Sequence, residues 1–441
     1  MPSVWRRLCS ILEVVLRGCL LLIAFLGAWW LRPSYPDLLR PPPEPYFLGF
    51  LITVPIALAL VCWLLLGLRG LGAALRDGRR WWLLFWLLLA GWALLSPTWA
   101  KYEQVAGSSA AQFAAVAAFG VLAACTPISG RAVIGALAAG ALVQGVVIIA
   151  QMGVQDDLGL RWLGELNLYP ERKGLSVLSA ESLRLLRPYG LSVHPNVVGG
   201  YLALGVLGMA AWLFMPCSRW RWAVRALTFG ISLWALCLTF SRSAWLACLL
   251  ALAAFSLWTV RRALWRVAVA RRALLAAALS LCIFALFGMG YAPFLLARAG
   301  VGAEAVEQIS IAQRAIFIDF ARQLIERYPI AGVGIGTFAW EARDLLVRSQ
   351  YRGLLRAENV HSVPLLILSE LGIVGFGLWS AAFAAWLRAA WLKIRNPESA
   401  ALAAGALALL LIGVVDFYPI GIFSVQCVWL LGMGAAVAEG S

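Results

Sequence analysis

Charge is what this 441-residue chain lacks most. Asp, Glu, Lys and Arg make up 13% of it, whereas 63% is apolar. Soluble globular domains carry about a quarter charged residues, so a soluble domain is excluded and a membrane protein is expected. Histidine is scarcer still, with only His194 and His361. The nine cysteines (9, 19, 62, 125, 217, 237, 248, 282 and 427) fall in apolar segments or at their cytosolic ends. None lies in a long outer loop and none forms a CxxC pair, so neither disulfides nor a zinc site is expected. There is no internal repeat and no low-complexity tail. The apolar segments also carry few ionisable residues, which a channel or lipid-linked sugar flippase would place along its helices.

Long apolar runs fill the rest. Runs of about 18 residues or more mark transmembrane helices, and they fall near 8–31, 46–68, 81–96, 107–126, 132–153, 195–216, 222–240, 243–260, 273–291, 361–387, 399–415 and 419–438. The fold expected is an all-α polytopic membrane protein with about 12 transmembrane helices and one large, partly helical outer loop. Residues 1–291 would hold helices one to nine with a loop at about 154–194. Residues 292–360 would form the large loop, and 361–441 the last three helices.

Arginine sets the orientation. Arg6, Arg7, the loops 69–80, 219–225 and 261–272, Arg131 and the stretch 388–395 all fall on one side, while the outer loops 32–45 and 97–106 are nearly charge-balanced. The positive-inside rule makes the basic side cytosolic. The net charge of +15 then faces anionic lipid, and nucleic acid is not implied. The first segment lacks a small-x-small cleavage site and reads as a retained helix. Its Glu13 and Arg17, spaced i,i+4, are expected to neutralise each other.

The outer face collects the polar chemistry. Residues 310–328 read as an amphipathic helix with Phe317, Ile318, Ala321, Leu324, Ile325 and Tyr328 on one face and Asp319, Arg322 and Glu326 on the other. Arg314 falls on the apolar side, either snorkelling along it or held against the membrane domain to bind an anion. The glycines of "GVGIG" (332, 334 and 336) read as a tight turn. Arg242, in "LTFSRSAWLA", stands at an outer junction against the positive-inside preference, which suits either an anionic partner or a helix-end snorkel. His194 and His361 open two apolar segments and Asp416 sits in the outer turn between the last two. Together these residues suggest an anionic, membrane-borne substrate with histidine as base. Arginines near His361 would lower its pKa, to about 6.5 or below. Asp156–Asp157 is the one adjacent acidic pair on this side, and Glu370 reads as a packing residue.

Four stretches in order, "RPYGLSVHPNVVGGYLAL", "LTFSRSAWLA", "AQRAIFIDFARQLIERYPIAGVGIGTFA" and "ENVHSVPLLILSELGIVG", resemble the motifs of the O-antigen ligase and polymerase superfamily. The resemblance covers roughly residues 185–375. It implies a bacterial inner-membrane enzyme whose site faces the periplasm, so that the large loop is periplasmic. Such enzymes move a glycan from undecaprenyl diphosphate; in a ligase the acceptor is lipid A–core oligosaccharide. It implies His361 as the catalytic residue, Arg242, Arg314 and Arg187 as diphosphate ligands, and supporting roles for His194, Asn196 and Asp416. Ser362 stands where the family has asparagine after the histidine. A diphosphate is a good leaving group that arginines can stabilise, so no metal and no cofactor are expected. The 440-residue length and the single late loop favour a ligase over a polymerase, a protein-glycosylating relative or a flippase.

Overall fold

A computed structural model describes residues 2–31, 52–169, 171–172, 174–180, 183–262, 267–298 and 305–438. The chain runs through α1 (Pro2–Leu26), α2 (Thr53–Leu65), α3 (Leu71–Arg76), α4 (Arg79–Leu95), α5 (Glu103–Cys125) and α6 (Gly130–Val154). A hairpin of β1 (Val177–Ala180) and β2 (Leu183–Leu186) follows, with Val177 opposite Leu186. Next come α7 (Pro195–Phe214), α8 (Arg219–Leu238), α9 (Arg242–Arg261), α10 (Val267–Arg298), α11 (Ala305–Arg327) and α12 (Phe338–Arg348). The chain closes with α13 (Val363–Lys393), α14 (Pro397–Val415), α15 (Tyr418–Gly421) and α16 (Phe423–Ala438).

Among the described residues ten helices are long and apolar enough to cross a membrane, and α2 and α16 are shorter apolar helices. They coincide with the twelve expected segments, and the fold is that of an all-α polytopic membrane protein. The expected start of the second segment at 46–51 and the loop 32–45 lie outside the described residues.

Burial sorts the helices. Most of α7 is enclosed, whereas α10 turns nearly its whole surface outward, as a lipid-facing helix does. The central helices approach closely through small residues, which supply packing where lipid is as apolar as leucine. A Cβ on Gly140 of α6 would lie 2.0 Å from the Tyr201 hydroxyl of α7.

Ion pairs tie the basic ends together. Asp77 accepts from Arg79 and Lys393, and Arg79 also donates to the Ala124 carbonyl at 2.7 Å. Burial would raise the pKa of Asp77, but these partners hold it low. Arg131 meets Glu398 at 3.3 Å. The expected Glu13–Arg17 pair does not form. Glu13 meets Arg69 instead, because the turn after α2 brings that arginine alongside α1.

Helix α13 is interrupted. Gly372 has φ +64 and ψ −169, and residues 329–337 lie in the gap. Val333 and Gly334 donate to the carbonyls of Ser369 and Glu370 at 2.9 and 2.8 Å, and Ile373 donates to Pro329 at 2.9 Å. Trp92 Nε1 takes the Leu371 carbonyl at 2.9 Å. The backbone groups freed by the break are thereby satisfied inside the protein, a requirement at membrane depth. Glycine is demanded on both sides of this contact: a Cβ on Gly332 would lie 2.3 Å from the Glu370 carbonyl carbon, and one on Gly372 would lie 2.1 Å from the Ile330 oxygen. The "GVGIG" stretch is a clamp on a broken helix as well as a turn. Glu370 is buried and accepts from Phe338 N at 3.1 Å, capping α12.

The α11 face is narrower than the sequence suggests. Phe317, Phe320, Ala321 and Leu324 are buried with Phe338 and Ala342 of α12, but Ile318 and Tyr328 are exposed. A strict i, i+3, i+4, i+7 stripe is enough for the single layer of contacts beneath it.

Candidate active site

Three tight turns and one long loop bring the site residues to a single face. The long loop is anchored by Gln151 of α6. Its Oε1 accepts from Tyr189 N and Gly190 N at 3.0 and 2.7 Å, and its Nε2 donates to Glu165 at 2.7 Å. This places "RPYGLSVHPN" over the start of α7. His194 is the N-cap of that helix, its Nδ1 accepting from Asn196 N at 3.1 Å.

Arg187 is buried, and its guanidinium is engaged by protein. Nε and Nη2 donate to the Thr239 carbonyl at 2.8 and 2.6 Å, Nη1 to Ser176 Oγ at 2.7 Å, and Nη2 to Asn196 Oδ1 at 2.8 Å. Thr239 belongs to the short turn between α8 and α9. The next residue, Phe240, has φ +50, a left-handed conformation that is rare and strained for a bulky residue. Its ring is buried against Trp245, Phe287 and Tyr291, and this packing holds the strained turn. Arg242 follows as the first residue of α9, with its side chain exposed. The positive end of the helix dipole and a guanidinium therefore coincide there.

Asn196 passes the order on. Its Nδ2 donates to Asp416 Oδ2 at 3.0 Å, and Asp416 Oδ1 lies 3.3 Å from His361 Nδ1. Asp416 ends α14 and is only 4% exposed. Its Oδ1 also accepts from Phe417 N at 2.9 Å. The Phe417 ring meets the imidazole edge-on at 5.4 Å. On the other side of the imidazole, His361 Nε2 is 3.6 Å from Glu358 Oε1. Glu358 in turn accepts from Gln313 Nε2 of α11 at 2.8 Å. Arg314, the next residue, is half-buried.

These surroundings reverse one expectation. Burial pushes the His361 pKa down, but the hydrogen bonds and charges of Asp416 and Glu358 outweigh it and raise it to about 9. The carboxylates stand 3.3 and 3.6 Å from the ring nitrogens and decide the sign. Burial alone would raise the Asp416 pKa; the bonds from His361 and Asn196 hold it below the usual carboxylate range. His194 goes the other way, to about 3, through burial first and then the charge of Arg187, with smaller contributions from His361 and Arg314. It stays neutral at physiological pH.

The site thus joins His361, Asp416, Asn196, Arg187 and His194 directly, with Arg314 next to Gln313 on α11 and Arg242 at the end of the turn that Arg187 grips. Sequence reasoning missed Glu358, Gln313 and Thr239. Only Glu358 left a signal there, as the sole carboxylate of "RAENVHS", three residues before His361. Asp156 and Asp157 bind their own loop: Asp157 accepts from Gly159 N and Leu168 N, and Asp156 from Asp157 N.

A bundle of apolar helices with a histidine held between two carboxylates describes a multi-pass membrane protein with a candidate active site. Residues 227–380, which include Arg242, Arg314 and His361, match the family model described as O-antigen ligase. That stretch, about a third of the chain, is similar to the O-antigen ligase family. A comparison with curated proteins returns no match.

Proposed function

We propose that the protein is an O-antigen ligase. It transfers a glycan from undecaprenyl diphosphate to lipid A–core oligosaccharide at the periplasmic face of the inner membrane, with His361 as general base. The observation that carries this reading is the His361 imidazole gripped between Asp416 and Glu358, at the face where Arg242 and Arg314 stand. The arginine asymmetry along the chain supports the orientation, with both termini in the cytosol.

Asp416 at Nδ1 fixes the tautomer that leaves Nε2 without its proton in the base form, as a carboxylate does for other catalytic histidines. Nε2 takes the proton of an acceptor sugar hydroxyl as that oxygen bonds to the anomeric carbon of the donor. The bond from that carbon to the diphosphate oxygen breaks, and its electron pair leaves with undecaprenyl diphosphate. Arg242, at the start of α9, and Arg314, on α11, oppose the charge on the departing diphosphate; a guanidinium fork can take two phosphate oxygens at once. Arg187 acts as a positioning residue, since it holds both the Arg242 turn and Asn196. Glu358 must yield its place beside Nε2 when the acceptor arrives.

The test is transfer by purified protein from a glycan-loaded undecaprenyl diphosphate to a lipid A–core acceptor. Product on lipid A–core is expected, with loss of about 10² to 10⁴ in rate for His361→Ala. Extension of the glycan on undecaprenyl diphosphate, with nothing on lipid A–core, would identify a polymerase and overturn the ligase reading.

A further inference from the structure

The two carboxylates that flank the imidazole are held in different ways. Asp416 closes α14, is 4% exposed, and accepts from Asn196 Nδ2 and Phe417 N while it faces His361 Nδ1. Those bonds fix it. Glu358 lies in the stretch 356–360 between α12 and α13, which has no regular structure, and its side chain is 41% exposed. Besides the imidazole, Gln313 Nε2 at 2.8 Å is its one side-chain partner among the described residues. Glu358 can therefore swing outward without breaking a helix or leaving a charge buried.

Its position matters because Nε2 is the nitrogen that has to meet the nucleophile. A hydroxyl donating to Nε2 would bring its oxygen to about 2.8 Å, into the space beside the Glu358 oxygen that stands 3.6 Å away. While both carboxylates face the ring it is held as imidazolium. An imidazolium nitrogen is a donor, with no lone pair to take a second proton. The charged groups described against the ring are Asp416 and Glu358, Phe417 covers it edge-on, and His194 stays neutral. Arg314 follows Gln313, the residue that tethers Glu358 to α11. Of the two carboxylates, only Glu358 is loosely held.

A transferase needs its base kept shut until the acceptor is in place. A glycan on a diphosphate is activated toward any hydroxyl, and excluding water from such a centre prevents a side reaction. Here the Glu358 side of the ring is open to solvent. Water activated at Nε2 would give hydrolysis. Its oxygen bonds to the anomeric carbon, one of its protons goes to Nε2, and the bond from that carbon to the diphosphate oxygen breaks, the electron pair leaving with undecaprenyl diphosphate. The glycan is then lost with a free anomeric hydroxyl. We propose that Glu358 is the guard against this loss: it closes Nε2 while the acceptor site is empty, and the arriving sugar opens it. A water molecule fits beside the carboxylate without moving it. A sugar ring cannot bring a hydroxyl to Nε2 without pushing Glu358 aside, and its other hydroxyls then bind the displaced carboxylate. Glu358 thus acts through His361, as a positioning residue that sets the preference for sugar over water. The assignment rests on the reading of His361 as the base of a glycan transferase.

The test is acceptor-free turnover of a glycan-loaded undecaprenyl diphosphate by the full-length protein in lipid, read as free reducing glycan. Transfer to lipid A–core is measured on the same samples. Glu358→Ala should hydrolyse the donor about tenfold faster than the wild-type protein at neutral pH, since each unit by which the His361 pKa falls multiplies its base form about tenfold. The ratio of hydrolysis to transfer should rise with it, which a folding defect does not produce. Glu358→Asp, which keeps a carboxylate, should restore part of the protection. His194 and His361 are the only histidines in the chain, so imidazole nitrogen NMR shifts report the base directly. The His361 midpoint should fall in Glu358→Ala and fall less in Glu358→Asp. An unchanged ratio of hydrolysis to transfer in Glu358→Ala, or a His361 midpoint that does not move, would overturn the guard. Undiminished transfer by His361→Ala would instead sink the reading of His361 as base.

Discussion

His361 Nδ1 and Asp416 Oδ1 stand 3.3 Å apart although 55 residues separate them in the chain. The pairing joins the start of α13 to the end of α14, so the two consecutive spans deliver acid and base partners to the same turn. It also fixes the sense in which pH acts. A group whose pKa is raised to about 9 is mostly protonated at neutral pH, and a base works only once it has lost that proton.

Transfer measured against pH, as kcat/KM, should therefore rise through an ionisation near 9, the alkaline counterpart of the value near 6.5 that arginines alone would give. Glu358→Gln removes one of the two carboxylates that raise the pKa and should move the rising limb toward lower pH. If activity instead falls above pH 9, the imidazolium is the working form and the base assignment is wrong.

The three arginines should separate by how they fail. Arg242→Lys and Arg314→Lys keep a charge without the fork, and should raise the donor KM with partial retention of turnover. Arg187→Lys cannot span Thr239, Ser176 and Asn196 together, so it should lower kcat and disturb the His361 pH profile without a matching change in donor KM. Equal donor KM effects for all three would make Arg187 a ligand rather than a positioning residue.

His194 serves α7 as an N-cap. His194→Ala should cost on the order of 1 kcal/mol in stability. His194→Asn, which keeps a cap acceptor, should restore most of both stability and transfer. Transfer abolished in the asparagine variant, with its melting temperature intact, would assign His194 to the chemistry.

Activity should persist in excess EDTA, because the proposed leaving group is stabilised by arginines. Asp156 and Asp157 are occupied in holding their own loop, so Asp156→Asn with Asp157→Asn should leave transfer within a few-fold of normal. Loss in EDTA that magnesium or manganese restores would require a different mechanism.

Glycine at the helix break should be indispensable. Gly332→Ala and Gly372→Ala each drive a methyl into backbone within 2.3 Å, at a positive φ that penalises alanine, so each should lower the melting temperature and transfer together. Gly377→Ala, with nothing within 4 Å of its added Cβ, is the control and should be neutral or stabilising.

The membrane helices are legible because most, α2 and α16 aside, are described runs long enough to span lipid, and because parity along such runs assigns every junction a side. Parity alone brought His194, His361, Arg242 and Asp416 to one face. It could not say which of them touch. The Arg187 guanidinium looks like a phosphate ligand in sequence, and only its position under the Thr239 turn reveals what it holds. The sign of the His361 pKa shift is hidden in sequence for the same reason: a sequence places arginines on a face, whereas only the structure puts Asp416 and Glu358 within 3.6 Å of the ring nitrogens. Tyr328 and Ile318 follow helical spacing, but spacing ignores how wide a surface the neighbour offers. The insertion of 329–337 into α13 left glycines as its trace, and a glycine motif does not name its partner.

The interrupted helix also sets a reference height. Residues 329–337 reach the level of Ser369 to Val374, six to eleven residues into α13 and so roughly 10 to 16 Å below its start. The assembly that carries Arg314 is moored part-way along a membrane-spanning helix, at a depth fixed by protein contacts. Lipid headgroups ride at a depth fixed by the bilayer. The offset between the two changes with membrane thickness, and on the proposed reaction hydrophobic mismatch thereby becomes a variable acting on how closely the arginines and the donor diphosphate can meet.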